Sequence, residues 1–469
     1  MSDAINASAV NAGSSTAVSA GGRLQWSNRL TFILAAAGSA VGLGNIWKFP
    51  YITGENGGGA FVLVYLACIL VIGIPVMMAE IMIGRRSQQN PTGAMAAMAK
   101  EAGANPLWKG VGWMAILCGF LILSFYTVIS GWTLSYTVTS LSGAFSNIAP
   151  DAAGAMFGGM LADPAQLLLW STVVVVTTMY IVSRGLHAGL EKAINYMMPL
   201  LVALVLVMVG YATSTGHFVD AIEFLFTPDF SKLSTEAVLV ALGHAFFTLS
   251  LASGAIMTYG SYVSKDTSIA KTSIMIGVFD TAVALLAGLA IFPIVFAYGL
   301  EPGAGPGLIF VTLPIAFGQM PYGTLFGTLF FVMLSMAALT SAISMIEPTV
   351  SWLVEKRKMS RGKASAVVGL ILWTLGLGTV FSFNIWQDAT LFGKTFFDAI
   401  DFLTANLMMP LGGLLVALFA AWVMKSNVVK DELGLGGGLL FTAWQFVMRF
   451  ITPIAIIVVF LNALGFIKL

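Results

Sequence analysis

Apolar residues run along this chain in long blocks rather than in alternation with polar ones, and eleven such blocks predict membrane helices. They lie at about 30–53, 60–84, 110–142, 167–184, 191–212, 237–262, 272–299, 323–353, 366–383, 396–424 and 440–465. Crossing about 30 Å of hydrocarbon takes about 20 helical residues, and all but 167–184 and 366–383 reach that length. The pattern falters in two blocks. The first contains GSAVGLGNIWKFPY (Gly38–Tyr51), where three glycines, Asn45, Lys48 and Pro50 interrupt the apolar run. The sixth contains HAFFTLSLASGAIMTYGSY (His244–Tyr262), whose centre is small and polar at Ser250, Ala252, Ser253 and Gly254.

In hydrocarbon every backbone N–H and C=O needs an internal partner, so a broken helix is tolerated only when buried in protein or lining a hydrated cavity. Two broken helices five apart predict two five-helix halves of opposite topology, with a solute held at mid-depth between the breaks. For any single glycine, close helix packing of the GxxxG kind is the alternative; it does not account for Asn45, Lys48 and Pro50. A dinucleotide-binding reading of Gly38, Gly42 and Gly44 fails, since no strand precedes them.

Composition agrees with a polytopic membrane protein: 58% of residues are hydrophobic, 9% are charged, and mean hydropathy is +0.91. The charges are segregated. Arg23, Arg29, Arg85, Arg86, Lys100, Lys109 and the run Lys356 to Lys363 flank alternate helix ends, whereas the loops at 143–166 and 300–322 carry no Lys or Arg. The N-terminus is therefore expected in the cytoplasm and the C-terminus outside. Residues 1–22 are expected to form a disordered cytoplasmic tail rather than a signal peptide, and residues 23–469 a single transporter domain with inverted repeats at about 23–212 and 237–424 plus the eleventh helix. Cys68 and Cys118 read as packing residues. Short outer loops without an Asn-x-Ser/Thr acceptor favour the inner (plasma) membrane of a prokaryote. No His, Cys and carboxylate cluster converges at one depth, which argues against an enzyme. An ion channel would need no solute-sized pocket at the breaks. No nucleic-acid partner is expected.

GSAVGLGNIWKFPY with ENGGGAF (Glu55–Phe61), the broken sixth block, and LTSAISMIEP (Leu339–Pro348) occur in order. Together they resemble the neurotransmitter:sodium symporter family, nearest its bacterial leucine and multi-hydrophobic amino-acid transporters. The resemblance implies an all-α, leucine-transporter-like fold with first and sixth helices unwound, two sodium ions and one small-molecule substrate. A first sodium would be held by Ala40, Asn45, Thr248 and Asp280, and a second by Gly38, Val41, Ala337, Thr340 and Ser341. Hard cations want oxygen ligands, and unwound backbone supplies them; for Thr340 and Ser341, hydroxyls bonding back to their own helix are the alternative.

Relatives that carry amines resemble one another in having Asp where this chain has Gly42. The substrate is therefore expected to bring its own carboxylate, which fits a neutral, hydrophobic L-amino acid. The carboxylate would meet Leu43, Gly44 and Tyr126; the ammonium would meet carbonyls of Ala40, Phe247 and Thr248, and Ser250. Ile122, Tyr126, Phe247, Ser253, Ser341, Ala342 and Met345 would line the side-chain pocket. Ser253 enlarges it relative to many family members and the Ala252 methyl opposes that.

Asp280 and Ala284 stand where chloride-dependent relatives have Asn and Ser, so no chloride is expected; Asp280 would supply the fixed negative charge, or a helix-to-helix hydrogen bond. Lys48 and Asp401 match the outer gate pair, with Phe247 as lid and His244 beside them. Arg23, Trp26, Tyr262 and Glu355 match the inner gate. Gly189 and Pro199 would let the fifth helix unwind, or form a static kink. The competing reading is a transporter of the same fold coupled to protons or carrying another small zwitterion.

Overall fold

In the computed structural model, residues 24–303, 305, 307–436 and 438–466 are described. The expected tail 1–22 and the gate residue Arg23 lie outside them. Among the described residues the chain is helical apart from one isolated bridge between Leu391 and Lys394. Among the described residues nine helices are long and apolar enough to span a membrane: Gly59–Ser87, Pro106–Leu141, Pro164–Ser183, Leu186–Thr213, Ile269–Ala297, Gly323–Arg357, Arg361–Ser382, Phe396–Val423 and Leu439–Ala463. These are the second to fifth and seventh to eleventh of the expected segments.

The two remaining segments are broken where the sequence falters. The first runs Arg29–Ala40, bends by 50° and resumes at Gly44–Glu55. Val41 is extended at the break, with φ −70° and ψ 102°. The sixth runs Thr235–Thr248 and resumes as the short helix Ala255–Gly260. Between them Ser250 and Ala252 take left-handed backbone, with φ +53° and +58°, and Gly254 has φ +80°. Left-handed backbone costs a non-glycine residue about 1–3 kcal/mol and persists only where its surroundings over-determine it.

Two contacts do so here. The Ser250 hydroxyl donates to the Ser39 carbonyl at 2.7 Å, tying the two breaks together. The Ala252 N–H donates to Glu80 Oε1 at 2.7 Å. Glu80 sits in the second segment within VMMAEIMIG and is 0% exposed. Its carboxyl replaces the helical acceptor that Ala252 lost to the break.

The third and eighth segments pack along each other at the centre of the molecule and place Tyr126 and Ser341 beside the breaks. The fourth packs on the third and ninth, and the seventh on the fifth. The expected loops at 143–166 and 300–322 each contain a helix, Pro150–Ala162 and Leu308–Gln319. Both are too short to span. Pro150 opens one, with its fixed φ suited to a first helical turn.

The fifth segment starts with a π-helical turn, Leu186–Glu191, and continues as Lys192–Thr213 with Pro199 inside it. Gly189 lies in that turn, where a Cβ would come within 2.1 Å of the Ile181 carbonyl oxygen. The described fifth segment is wound throughout.

Replacing Glu80 by Leu strands a buried N–H, at a cost of about 1–3 kcal/mol, whereas Glu80→Gln retains an acceptor. Melting of the purified protein is expected to drop clearly for Glu80→Leu and little for Glu80→Gln. Equal losses would show that the charge, not the acceptor, supports the sixth-segment break.

Candidate functional site

The two breaks face each other around a narrow cavity. It is lined by Ser39, Ala40, Gly42 and Gly44 of the first segment, Ile122 and Tyr126 of the third, and Phe247, Ser250 and Ser253 of the sixth. Ser341 and Met345 of the eighth segment and Met409 of the tenth complete it. Its walls carry hydroxyls, backbone and apolar groups, and no ionised side chain. Of the expected substrate contacts, Leu43, Thr248 and Ala342 are buried beside the cavity rather than on it. Ala252 is also off the wall; its methyl meets the tenth segment, where a Cβ on Gly412 would approach it to 2.7 Å. The expected limit on substrate size from Ala252 therefore does not arise.

Gly42 is the tightest point. A Cβ there would lie 2.3 Å from Ser341 Oγ and 3.0 Å from the Tyr126 hydroxyl oxygen. The Leu43 N–H donates to that same Tyr126 oxygen at 3.3 Å. Tyr126 thus stands at the open backbone of the first break, beside N–H groups that helix geometry no longer uses. Ser253 donates to the Ser250 carbonyl at 2.7 Å.

On one side of the cavity a polar cluster is sealed from solvent. Asp280 of the seventh segment is 0% exposed. The Asn45 side-chain NH2 donates to Asp280 Oδ1 at 2.7 Å and to the Asp280 carbonyl at 3.0 Å. The Asn45 amide oxygen accepts the Gly42 N–H at 3.1 Å. Thr248 Oγ1 lies 3.1 Å from each Asp280 carboxylate oxygen. Asn45, Thr248 and Asp280, distant in sequence, are therefore one unit, tied to the first break at Gly42.

A second oxygen-rich point lies where the eighth segment meets the first. Ser341 Oγ is 3.3 Å from the Ser39 carbonyl oxygen and 3.5 Å from those of Gly38 and Val41. Thr340 turns back on its own helix, donating to Ala337 at 3.0 Å and Met336 at 3.2 Å. Of the two hydroxyls, only Ser341 reaches across. Both clusters are rich in oxygen, the donor set of a hard cation, although Asn45 turns its NH2 toward Asp280. Among the described residues no three His, Cys, Asp or Glu side chains gather as a transition metal would require.

A model of the sodium:neurotransmitter symporter family matches residues 23–149 and 156–468. The chain belongs to that family. It is 41% identical over 445 residues to the sodium-dependent transporter YhdH of Bacillus subtilis (strain 168), covering 94% of this chain and 98% of that one. A sodium-dependent transporter of Haemophilus influenzae is 35% identical over 449 residues, again covering 94% and 98%. The structure is similar to the crystal structure of MhsT in complex with L-phenylalanine, with TM-score 0.87 and 43% identity over 94% of this chain and 100% of that chain. The protein is thus a multi-pass membrane transporter rather than an enzyme, with the all-helical fold of MhsT.

In this transporter the expected gates are only partly assembled. Lys48 does not pair with Asp401; its ammonium lies 4.6 Å from the centre of the Phe247 ring, a cation–π contact. Above Phe247 and Met409 a second cavity of about 560 Å³ opens past Lys48, His244, Glu236 and Glu55. His244 is 2% exposed and packs against Phe49 and Tyr65, with ring centres 6.1 Å and 5.3 Å away. Neither of its ring nitrogens has a hydrogen-bond partner.

The opposite end is closed. Trp26 donates from its indole to the Tyr259 carbonyl and from its backbone to the Tyr262 carbonyl, both at 3.0 Å. The Tyr262 hydroxyl donates to Glu347 at 2.7 Å, and Glu347 pairs with Arg361. Glu355 accepts from the Asn90 N–H at 3.0 Å and from its side chain at 2.5 Å. Glu191 accepts both the Ser27 N–H at 2.8 Å and the Ser27 hydroxyl at 2.6 Å, with His187 Nδ1 2.9 Å from the same carboxylate. Near by, Arg86 holds the Glu101 carboxyl below the usual carboxylate range.

Sequence reasoning missed Glu80, Met409 and the Glu347–Arg361 pair. The two glutamates had a signal: a carboxylate within an apolar block is expensive and needs a partner. Met409 had none, since a methionine in an apolar helix reads as packing.

Gly42→Ala overfills the site, and overpacking costs about 1–3 kcal/mol. Its melting midpoint is expected to fall and to recover in part on adding Ser341→Ala, which removes the nearest atom. No change on Gly42→Ala would show that the break yields freely at this point.

Proposed function

We propose that the protein carries a neutral, hydrophobic L-amino acid into the cell together with sodium, by alternating access. The supporting observation is the juxtaposition of a cavity without ionised side chains and the buried Asn45–Thr248–Asp280 cluster, which binds the Gly42 N–H behind its wall. A substrate entering this cavity finds no fixed partner for its charges. It must present a carboxylate to a cation held by the cluster, and an ammonium to the carbonyls left open by the breaks.

The first sodium is held by Ala40, Asn45, Thr248 and Asp280, with the substrate carboxylate completing the shell. The second is held by carbonyls of Gly38, Val41 and Ala337 with Thr340 and Ser341. The carboxylate lies against the N–H groups of Leu43 and Gly44 and the Tyr126 hydroxyl. The ammonium meets carbonyls of Ala40, Phe247 and Thr248 and the Ser250 oxygen, which still accepts while its proton goes to the Ser39 carbonyl. Ile122, Met345 and Phe247 surround an apolar side chain. The L-phenylalanine in MhsT and the sodium dependence in the relatives' names support this assignment.

Asp280 with Ala284 makes transport independent of chloride, since the carboxylate supplies the negative charge. Lys48 and Asp401 close the outer side over Phe247; Trp26, Tyr262 and Glu355 close the cytoplasmic side with Arg23. Gly189 and Pro199 let the fifth segment loosen for sodium release. The single domain, 23–469, lies in the inner membrane with its N-terminus in the cytoplasm. Two sodium ions and a zwitterion carry two charges inward, and about 100 mV across the membrane then supplies roughly 4–5 kcal/mol, or about three decades of accumulation.

The deciding measurement is uptake of labelled L-phenylalanine into proteoliposomes, competed by each of the twenty amino acids. Large neutral amino acids are expected to compete, and uptake to vanish when potassium replaces external sodium. Equal binding in potassium would overturn the assignment. Replacing chloride with gluconate is expected to leave uptake within about twofold; a large loss would overturn the role given to Asp280.

A further inference from the structure

Met409 belongs to both cavities: with Phe247 it lines the narrow site and also the larger space above it. It is 2% exposed. It comes from the tenth segment, which also carries the outer gate residue Asp401. Between Asp401 and Met409 the helix is π-wound, at Phe402–Met408, a local widening of the turn that re-aims the following side chains and recurs at functional sites.

One turn beyond, on the same helix face, stand Gly412 and Gly413. A Cβ on Gly412 would lie 2.7 Å from the Ala252 Cβ, and one on Gly413 would lie 2.3 Å from the Phe246 ring. The glycines bring the tenth segment onto the sixth at its break. That close approach sets Met409 over the apolar end of the site, between Phe247 and the vestibule.

From this placement we infer that Met409 is a specificity-determining residue, a second lid that measures substrate side-chain length as the tenth segment closes. The inference rests on the proposed amino-acid transport. Phe247 covers the site from the sixth segment and is fixed by that break. Met409 covers it from the segment that carries Asp401, and its unbranched thioether fills irregular space. A side chain that is too long meets Met409 and holds the tenth segment, and Asp401 with it, away from the closed position. Size selection and gate closure are then one event. Ile122 and Met345, on the third and eighth segments, shape the pocket without this link.

The test uses the full chain in proteoliposomes, with sodium-dependent uptake of L-tryptophan and L-leucine measured side by side. Met409→Ala is expected to raise the tryptophan-to-leucine ratio about tenfold and Met409→Phe to lower it about tenfold, the range that small changes in an apolar pocket command. A merely structural role would lower both rates together and leave the ratio fixed. Ratios unchanged in both variants, or shifted in the same direction, overturn the inference. If Met409→Ala is not recovered folded, Met409→Leu and Met409→Phe decide it on the same readout. Wild-type protein without sodium-dependent uptake of any amino acid would overturn the transport reading itself, a failure visible before any variant is made.

Discussion

Everything in this molecule depends on what becomes of backbone hydrogen-bonding groups where two helices stop in the middle of a membrane. Hydrocarbon offers no partners, so each freed N–H and C=O must be met by a side chain, by another segment or by a transported solute. The structure meets some and leaves others open. Glu80 takes the Ala252 N–H, Ser250 gives its proton to Ser39, and Asn45 caps Gly42. Around these fixed points Ser39, Ala40, Gly42 and Gly44 line a cavity. Left-handed backbone at Ser250 and Ala252 is the cost of keeping them there.

The polar clusters follow from the same constraint. A buried carboxylate is tolerable when surrounded by donors, and Asp280 has Asn45 and Thr248 close on two sides. Those donors come from both broken segments, so the charge stitches together the elements that form the site. Gly42 shows how little room is left, since its missing Cβ is what lets Ser341 and Tyr126 close in. Composition alone would not have distinguished that glycine from the many that serve packing.

Much of this was legible in the sequence because membrane helices leave so few polar positions. The breaks at Val41 and Ser250–Gly254 were marked by small and polar residues inside apolar blocks, and both occur there. Ile122, Tyr126, Phe247, Ser253, Ser341 and Met345 were expected on the cavity and line it. The helices at Pro150–Ala162 and Leu308–Gln319 escaped notice because a run of 12 or 13 residues falls below the length that hydropathy reads as a span. The position of Lys48 over Phe247 could not be read at all. It depends on which of two partners a flexible ammonium meets in one conformation, and sequence carries both.

The anchoring of Ser27 to Glu191 has a mechanical corollary. Glu191 closes the π-turn that contains Gly189 and grips the chain just ahead of the first helix with two hydrogen bonds. Fraying of that turn therefore slackens the tether on the first helix, and pulling the tether strains the turn. Neither the turn nor the tether can give way without the other registering it, so this end of the molecule has one bolt rather than two.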